Sequence, residues 1–278
     1  MKATEQRQAT DAFVRAPLTY VVDTGEKPVI YPSEPGGREE RRTGQYAQHM
    51  VTIHDGRARA DEFSLDREGF LLVDHQTMVE DFYDERQRQE IYDAEIRQLV
   101  RVLTGASEVL VFDHTLRADT AAVRATRVVR EPAQMVHNDY TEQSAPRRLQ
   151  DLLPANEAEQ RLESRYAIVN VWRPVRDPVR TSALALCDAR TIAPQDLVVT
   201  ERRARQRTGE IYQLQYSRAH LWYYFPKMER HEAAVFKCYD SAADGRPRFA
   251  AHTAFADPTS PSRDLVRESI ESRTFAFF

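Results

Sequence analysis

The chain has 278 residues, 41% of them hydrophobic and 29% charged, with a formal net charge of −4. At this length a fold buries roughly three quarters of the surface its unfolded chain exposes, so no covalent or metal staple is needed. The acidic balance argues against a nucleic-acid partner, because phosphate binding needs a basic footprint. Two cysteines, Cys187 and Cys238, are too few for a disulfide framework or a Cys-based zinc site. Both sit in apolar runs and are expected to pack in a core.

The N-terminal stretch MKATEQRQATDAF lacks the apolar run of a signal peptide. No segment of about 18 apolar residues occurs, so no membrane partner and a cytoplasmic location are expected. Leu18–Val22 and Phe70–Val73 read as strands, and the Gly- and charge-rich run from Glu34 to Gly44 as a loop. Val79 to Leu103 reads as a helix, with Phe82, Ile91, Ile96, Leu99 and Leu103 recurring at three-to-five spacing. Gly105 follows as a suitable residue to end it, since glycine tolerates positive φ.

Beyond Gly105 the apolar runs shorten: Val109–Phe112, Val128–Val129 and Met135–Val136. Glu142 to Arg165 reads as helical, with Leu149, Leu152 and Leu153 on one face. Strands then follow closely: Tyr166–Trp172, Leu184–Cys187, Leu197–Val199, Ile211–Tyr216, Leu221–Phe225, Ala233–Tyr239 and Ile270–Phe278. Short strands at this spacing, punctuated by Pro, Asp and Gly, predict a sandwich or barrel. The expected class is mainly β with flanking helices, around a jelly-roll (double-stranded β-helix, cupin-like) core. One domain over 1–278 is expected, with a mixed α/β part over 1–105 packed on a core over 106–278.

The tripeptide His137-Asn138-Asp139 carries the first chemical signal. Residues two apart in a strand point to one face, so an imidazole and a carboxylate can aim at one point. Short motifs are loose, and an exposed turn also satisfies H-x-D. A second imidazole, His252, lies far enough downstream for several strands to intervene. Two His and one carboxylate bind iron(II) and leave three positions open. Further on, Arg267 and Ser269 share parity. A buried Arg pairs bidentately with a carboxylate, which suits the distal end of 2-oxoglutarate, while an exposed Arg267 would simply pair with Glu271 or Asp264. Arg273 has the same parity and is a second candidate.

In this order the residues resemble a known family. VFDHTLR (Val111–Arg117), MVHNDYTEQSAPRRL (Met135–Leu149), NVWRPV (Asn170–Val175), ALCDARTI (Ala185–Ile192), WYYFPKMERHEAAVFKCYDS (Trp222–Ser241), AHTAFADP (Ala251–Pro258) and RESIESR (Arg267–Arg273) carry the likeness. It is to the CmcJ/NvfI-type oxygenases, which take in asaB-like and cephamycin methoxylase component-like proteins. The resemblance covers most of the chain from about Val111 to the end. It implies a double-stranded β-helix, iron(II) held by His137, Asp139 and His252, and 2-oxoglutarate anchored by Arg267, with O₂ as the other cosubstrate. The interval from His252 to Arg267 is longer than in many such enzymes, and Arg263 falls nearer the common distance. Pro258 and Pro261 make the Arg263 region read as loop, which favours Arg267.

Asn170 and Trp172 share a strand face and, with Tyr140 and His114, are candidates for the substrate pocket. Trp172 and His114 also fit a packed, hydrogen-bonded core. The expected reaction is oxidation of an unactivated C–H bond of a small molecule, by hydroxylation, desaturation or cyclisation, in secondary-metabolite biosynthesis. Two other readings stay open. One is an iron oxidase that needs no 2-oxoglutarate; the other is a non-catalytic jelly-roll partner of a biosynthetic enzyme. The sequence also leaves open a homodimer or a partner protein.

Overall fold

A computed structural model describes residues 12–33, 40–127, 129–176, 178–205, 207–260 and 266–278. Arg263, Asp264, Pro261, Val128 and most of the expected loop from Glu34 lie outside the described residues. Among those described, fifteen strands form two sheets, of ten and five strands. The N-terminal part supplies β1 (Phe13–Val22), β2 (Val29–Tyr31), β3 (Arg41–Arg42), β4 (Gln45–Asp55) and β5 (Phe70–Asp74). The middle supplies β6 (Glu108–Ala118), β7 (His137–Asn138), β8 (Tyr166–Pro174), β9 (Ala183–Cys187), β10 (Leu197–Arg203) and β11 (Thr208–Leu214). β12 (Trp222–Tyr224), β13 (Glu232–Asp240), β14 (His252–Phe255) and β15 (Glu268–Phe277) complete them.

The larger sheet runs β1-β4-β12-β9-β14-β7-β11-β10-β2-β3, and the smaller β5-β13-β8-β15-β6. The two face each other across a core that includes Trp172, Leu186, Trp222, Phe236 and Phe275. This is the expected jelly roll. The smaller sheet is covered on its other face too. There Val169, Val171, Val235 and Ile270 pack with Tyr92, Ile96 and Val100. Its strand β8 is therefore buried along its whole length, which explains why it reads as a near-continuous apolar run. Cys187 and Cys238 are buried and free, as expected of core residues.

The covering helix is shorter than the Val79–Leu103 expectation. Asp84 caps it by accepting from the Arg86 N–H, and the chain is helical from Glu85, through a wide turn over Arg88–Tyr92, to Thr104. Val79 and Phe82 are buried before the helix begins, so apolar periodicity extended past the cap. The polar stretch near 142–165 is two helices, Ser144–Leu152 and Ala155–Leu162. Pro154 separates them, because proline pushes the preceding residue out of the helical region; Leu153 is extended. β4 was not legible as a strand. Only Val51 and Ile53 of its eleven residues are buried, and pairing with β1 and β12 satisfies its backbone. No helix of the described residues is long and apolar enough to cross a membrane.

Gly105 closes the helix with φ of 72° and its N–H on the Arg101 carbonyl. A Cβ there would meet open space, so the cost of a side chain is conformational alone. Gly105→Ala is expected to destabilise the protein by about 1 kcal/mol in denaturant unfolding; an unchanged midpoint would contradict the cap.

Candidate active site

β7 is only two residues long and lies between β11 and β14. Its pairing register sets His137 directly opposite His252. Adjacent strands thus close the long sequence interval between the two imidazoles, whose ring centroids are 4.3 Å apart. Asp139 follows just past the strand end, its Oδ1 3.6 Å from His137 Nε2. One ligand atom from each of the three residues falls within 4.8 Å of the others.

The hydrogen bonds leave donor atoms free. His137 Nδ1 lies 2.7 Å from the Met135 carbonyl. A carbonyl only accepts, so Nδ1 carries a proton, and Nε2 is the nitrogen turned toward Asp139. His252 Nδ1 is 3.5 Å from the Ala250 carbonyl, and its Nε2 is buried with no hydrogen-bond partner. Buried polar atoms are rarely left so. Asp139 Oδ2 accepts from Asn170 Nδ2 at 2.8 Å and from Arg273 Nε at 2.9 Å, which leaves Oδ1 facing the imidazoles. Two imidazole nitrogens and one carboxylate oxygen on one side of a point fit a divalent iron ion.

Charge in this corner is balanced internally. Arg273 donates to Asp139, to Asp113 at 2.6 Å, to Thr115 at 2.9 Å and to Glu271. Burial opposes its charge, but Asp139, Glu271 and Asp113 outweigh that and hold its pKa well above the ordinary value. Burial likewise works against ionised Asp139, yet Arg273, then His137 and His252, keep its pKa well below the usual carboxylate range.

Arg267 is the opposite case. It is 3% exposed. Its Nε and Nη2 reach Ser269 Oγ at 3.3 and 3.1 Å, and Nη1 donates to the Ser182 carbonyl. The guanidinium lies 5.1 Å from the Trp172 ring centroid. Among the described residues no carboxylate comes within ion-pair distance of it. Burial, reinforced by the charge of Arg117, pushes its pKa down to about 9.

A cavity of about 800 Å³ opens over His137 and Asp139, walled by residues including Phe112, Arg117, Tyr140, Ser182 and Arg202. Tyr140 turns back to the cavity rather than away from it. Burial raises the Tyr140 pKa, so it stays a protonated phenol.

Other expectations are corrected. Arg273 lines the cavity but has all three guanidinium nitrogens engaged, mostly with carboxylates. His114 does not line the cavity. It points to the helix-covered face, its Nδ1 2.7 Å from Ser272 Oγ and its Nε2 2.8 Å from Asp93 Oδ1. The register between β6 and β15 shifts at Phe112. The bulge reverses the facing of the residues after it, so Asp113, Thr115 and Arg117 turn inward and His114 outward. Asn170 holds Asp139 instead of facing the cavity, and Trp172 is buried between the sheets beneath Arg267. Two participants went unread. Glu271 has the parity of Arg267, which was a usable signal. Arg202 sits at the end of β10, past the apolar run that marked the strand.

Comparison with known proteins decides the family. A family model described as YDMC, oxidoreductase/YMDC permease-like domain, matches residues 18–277. The hydroxylase/desaturase efuI of Hormonema carpetanum is 34% identical over 87% of this chain and 90% of its own. The Fe(II)/2-oxoglutarate-dependent dioxygenase nvfI of Aspergillus novofumigatus is 33% identical over 92% and 93%. The chain belongs to this oxidoreductase family. A solved structure of the iron and alpha-ketoglutarate-dependent endoperoxidase NvfI superposes with a TM-score of 0.85, at 30% identity, over 97% of this chain and 99% of that one.

Two outcomes are expected here. Asn170→Ala removes one of two groups that orient Asp139, and should weaken divalent-metal affinity about 10–100-fold in a direct titration. Burial, then the neighbouring His137, pushes the His252 pKa down to about 3, against the opposing pull of Asp139. The unfolded chain takes up that proton near about pH 6.5 and the native one does not. The stability of the metal-free protein is therefore full above that pH and lost as pH falls toward about 3, by at most about 1.4 kcal/mol per unit from this group. Urea unfolding between about pH 7 and 5 should show the decline, and His252→Asn should flatten it.

Proposed function

We propose that the protein oxidises a C–H bond of a small organic molecule, with iron(II) on His137, Asp139 and His252 and 2-oxoglutarate anchored by Arg267 and Ser269. That it is a non-haem iron(II), 2-oxoglutarate-dependent dioxygenase follows from its kinship with enzymes so named. The residue roles rest on geometry, and one observation carries them: the buried, partnerless Nε2 of His252, with His137 Nε2 and Asp139 Oδ1 gathered beside it. We read 1–278 as one oxygenase domain, supported by a family match that spans 18–277.

Iron(II), when bound with 2-oxoglutarate and O₂, supplies the oxidant for the C–H bond. The chain's own residues supply placement. Asn170 and Arg273 fix Asp139 so that one oxygen faces the metal. Arg267 and Ser269, backed by the Trp172 ring, hold the far carboxylate of the cosubstrate through a planar fork. Tyr140 presents a phenolic O–H on the cavity wall. Hydroxylation or desaturation is favoured by relatives named hydroxylase/desaturase. A setting in secondary metabolism is supported by a relative named aspirochlorine biosynthesis protein N, from Aspergillus oryzae.

Anaerobic addition of Fe(II) and 2-oxoglutarate to the wild type should produce the weak visible charge-transfer band of the chelate, and His137→Ala should lack it. Identical spectra would overturn the metal assignment. Arg267→Ala should weaken 2-oxoglutarate binding by about 3 kcal/mol, as expected for removal of a buried charge partner. An unaltered affinity would remove Arg267 from the cosubstrate site.

A further inference from the structure

β10 alternates, and the facing of its residues is set by period two. Val198 and Thr200 are buried on the inward face, Thr200 donating to Gln213 on the next strand. Arg202 has the same parity and so projects inward, where it lines the cavity above the metal centre. Its cross-strand partner on β11 is Gly209, which places no side chain beside it. Its parallel neighbour on β2 is the apolar Ile30. The Arg207 side chain lies over Gly209 on that face, and the Arg202 guanidinium is half-buried beside it.

The surroundings of this guanidinium are positively charged. Three of the cavity arginines pair with carboxylates: Arg42 with Glu40 at 3.2 Å, Arg207 with Asp151 at 3.5 Å and Arg273 with Asp139 at 2.9 Å. Arg117 and Arg124 donate to backbone carbonyls instead, and Arg148 lies over the Phe112 ring. Arg202 has no carboxylate within ion-pair distance among the described residues. The charges that act on it are Arg130, Arg273 and Arg117, and against them Asp139. Asp139 is already neutralised by Arg273. Burial first, and then those arginines, push the Arg202 pKa down to about 10. A guanidinium held this way, with like charges around it, is stabilised by an oxyanion that its planar fork can pair with.

The cosubstrate does not account for this group. Arg267 stands at the start of β15 in the smaller sheet, and the charges that act on it are Arg117, Asp119 and Glu271. Arg202 belongs to the larger sheet. Arg202 lines the cavity, whereas Arg267 is buried behind its wall, bonded to the carbonyl of the lining residue Ser182; 2-oxoglutarate has one distal carboxylate to place.

We propose that Arg202 forms an oxyanion subsite in the substrate half of the cavity, and that the natural substrate is an organic anion whose charged group docks there. The inference deepens the proposed function and rests on Arg267 taking the cosubstrate. Inorganic sulfate is the probe, titrated calorimetrically at constant ionic strength into protein saturated with Zn(II), as a redox-inert stand-in for iron, and with 2-oxoglutarate. The wild type should bind one sulfate with cosubstrate in place. Arg202→Gln should weaken sulfate at least about tenfold while 2-oxoglutarate affinity stays within about twofold. Arg267→Ala should do the reverse. The proposal is overturned if the wild type takes up no sulfate, if Arg202→Gln binds it as well as the wild type, or if sulfate and 2-oxoglutarate compete. A wild type that fails to bind 2-oxoglutarate would instead overturn the proposed function. Sulfate titrated without cosubstrate into wild type and Arg202→Gln would still judge the subsite.

Discussion

The ion pair between Arg273 and Asp139 joins the two sheets beside the His137–Asp139–His252 cluster. Arg273 comes from the middle of β15 in the smaller sheet, and Asp139 from the end of β7 in the larger. A buried carboxylate is costly unless paired and hydrogen-bonded, and here the pairing also orients it. With Oδ2 taken by Arg273 and Asn170, only Oδ1 remains to face the imidazoles. Glu271 and Asp113 complete the balance around Arg273.

That balance divides labour among the arginines of the cavity. Arg273 is spent on structure. Arg267 and Arg202 lack carboxylate partners among the described residues and lie on opposite sheets, which leaves two places for anionic groups. The sheets' alternation produces this arrangement. Along β15, Arg267, Ser269, Glu271 and Arg273 face inward together, while Ile270 and Ala276 pack toward the helix. Along β10, Arg202 follows Val198 and Thr200.

The helix-covered face of the smaller sheet carries its own polar cluster, and it is a packing device. Arg173 is fully buried there, near the Tyr92 ring at 5.5 Å and donating to the His75 carbonyl at 2.9 Å. His114 bridges Ser272 and Asp93 in the same layer. These contacts tie helix to sheet, and none reaches the cavity.

The amino-acid sequence by itself determined the jelly roll and most strands of its second half, β14 excepted, and it singled out His137, Asp139 and His252 as a candidate metal trio. Their signals are local: period-two alternation, runs of apolar residues, and H-x-D within three consecutive positions. The family resemblance added His252 to them, and the pairing of β14 with β7 brings it opposite His137. What only the tertiary structure decided concerns partners. Whether Arg267 or Arg273 is free for a ligand depends on which carboxylates surround each, and both have the same parity and residue type in the sequence. Which of its two readings His114 takes, pocket or hydrogen-bonded core, was settled by a single bulge at Phe112 that turns the later side chains of β6 to the opposite face, and a bulge leaves no mark in residue pattern. Arg202 was invisible for a related reason. A lone arginine past an apolar run looks like surface until its neighbours prove to be a glycine, an isoleucine and other arginines.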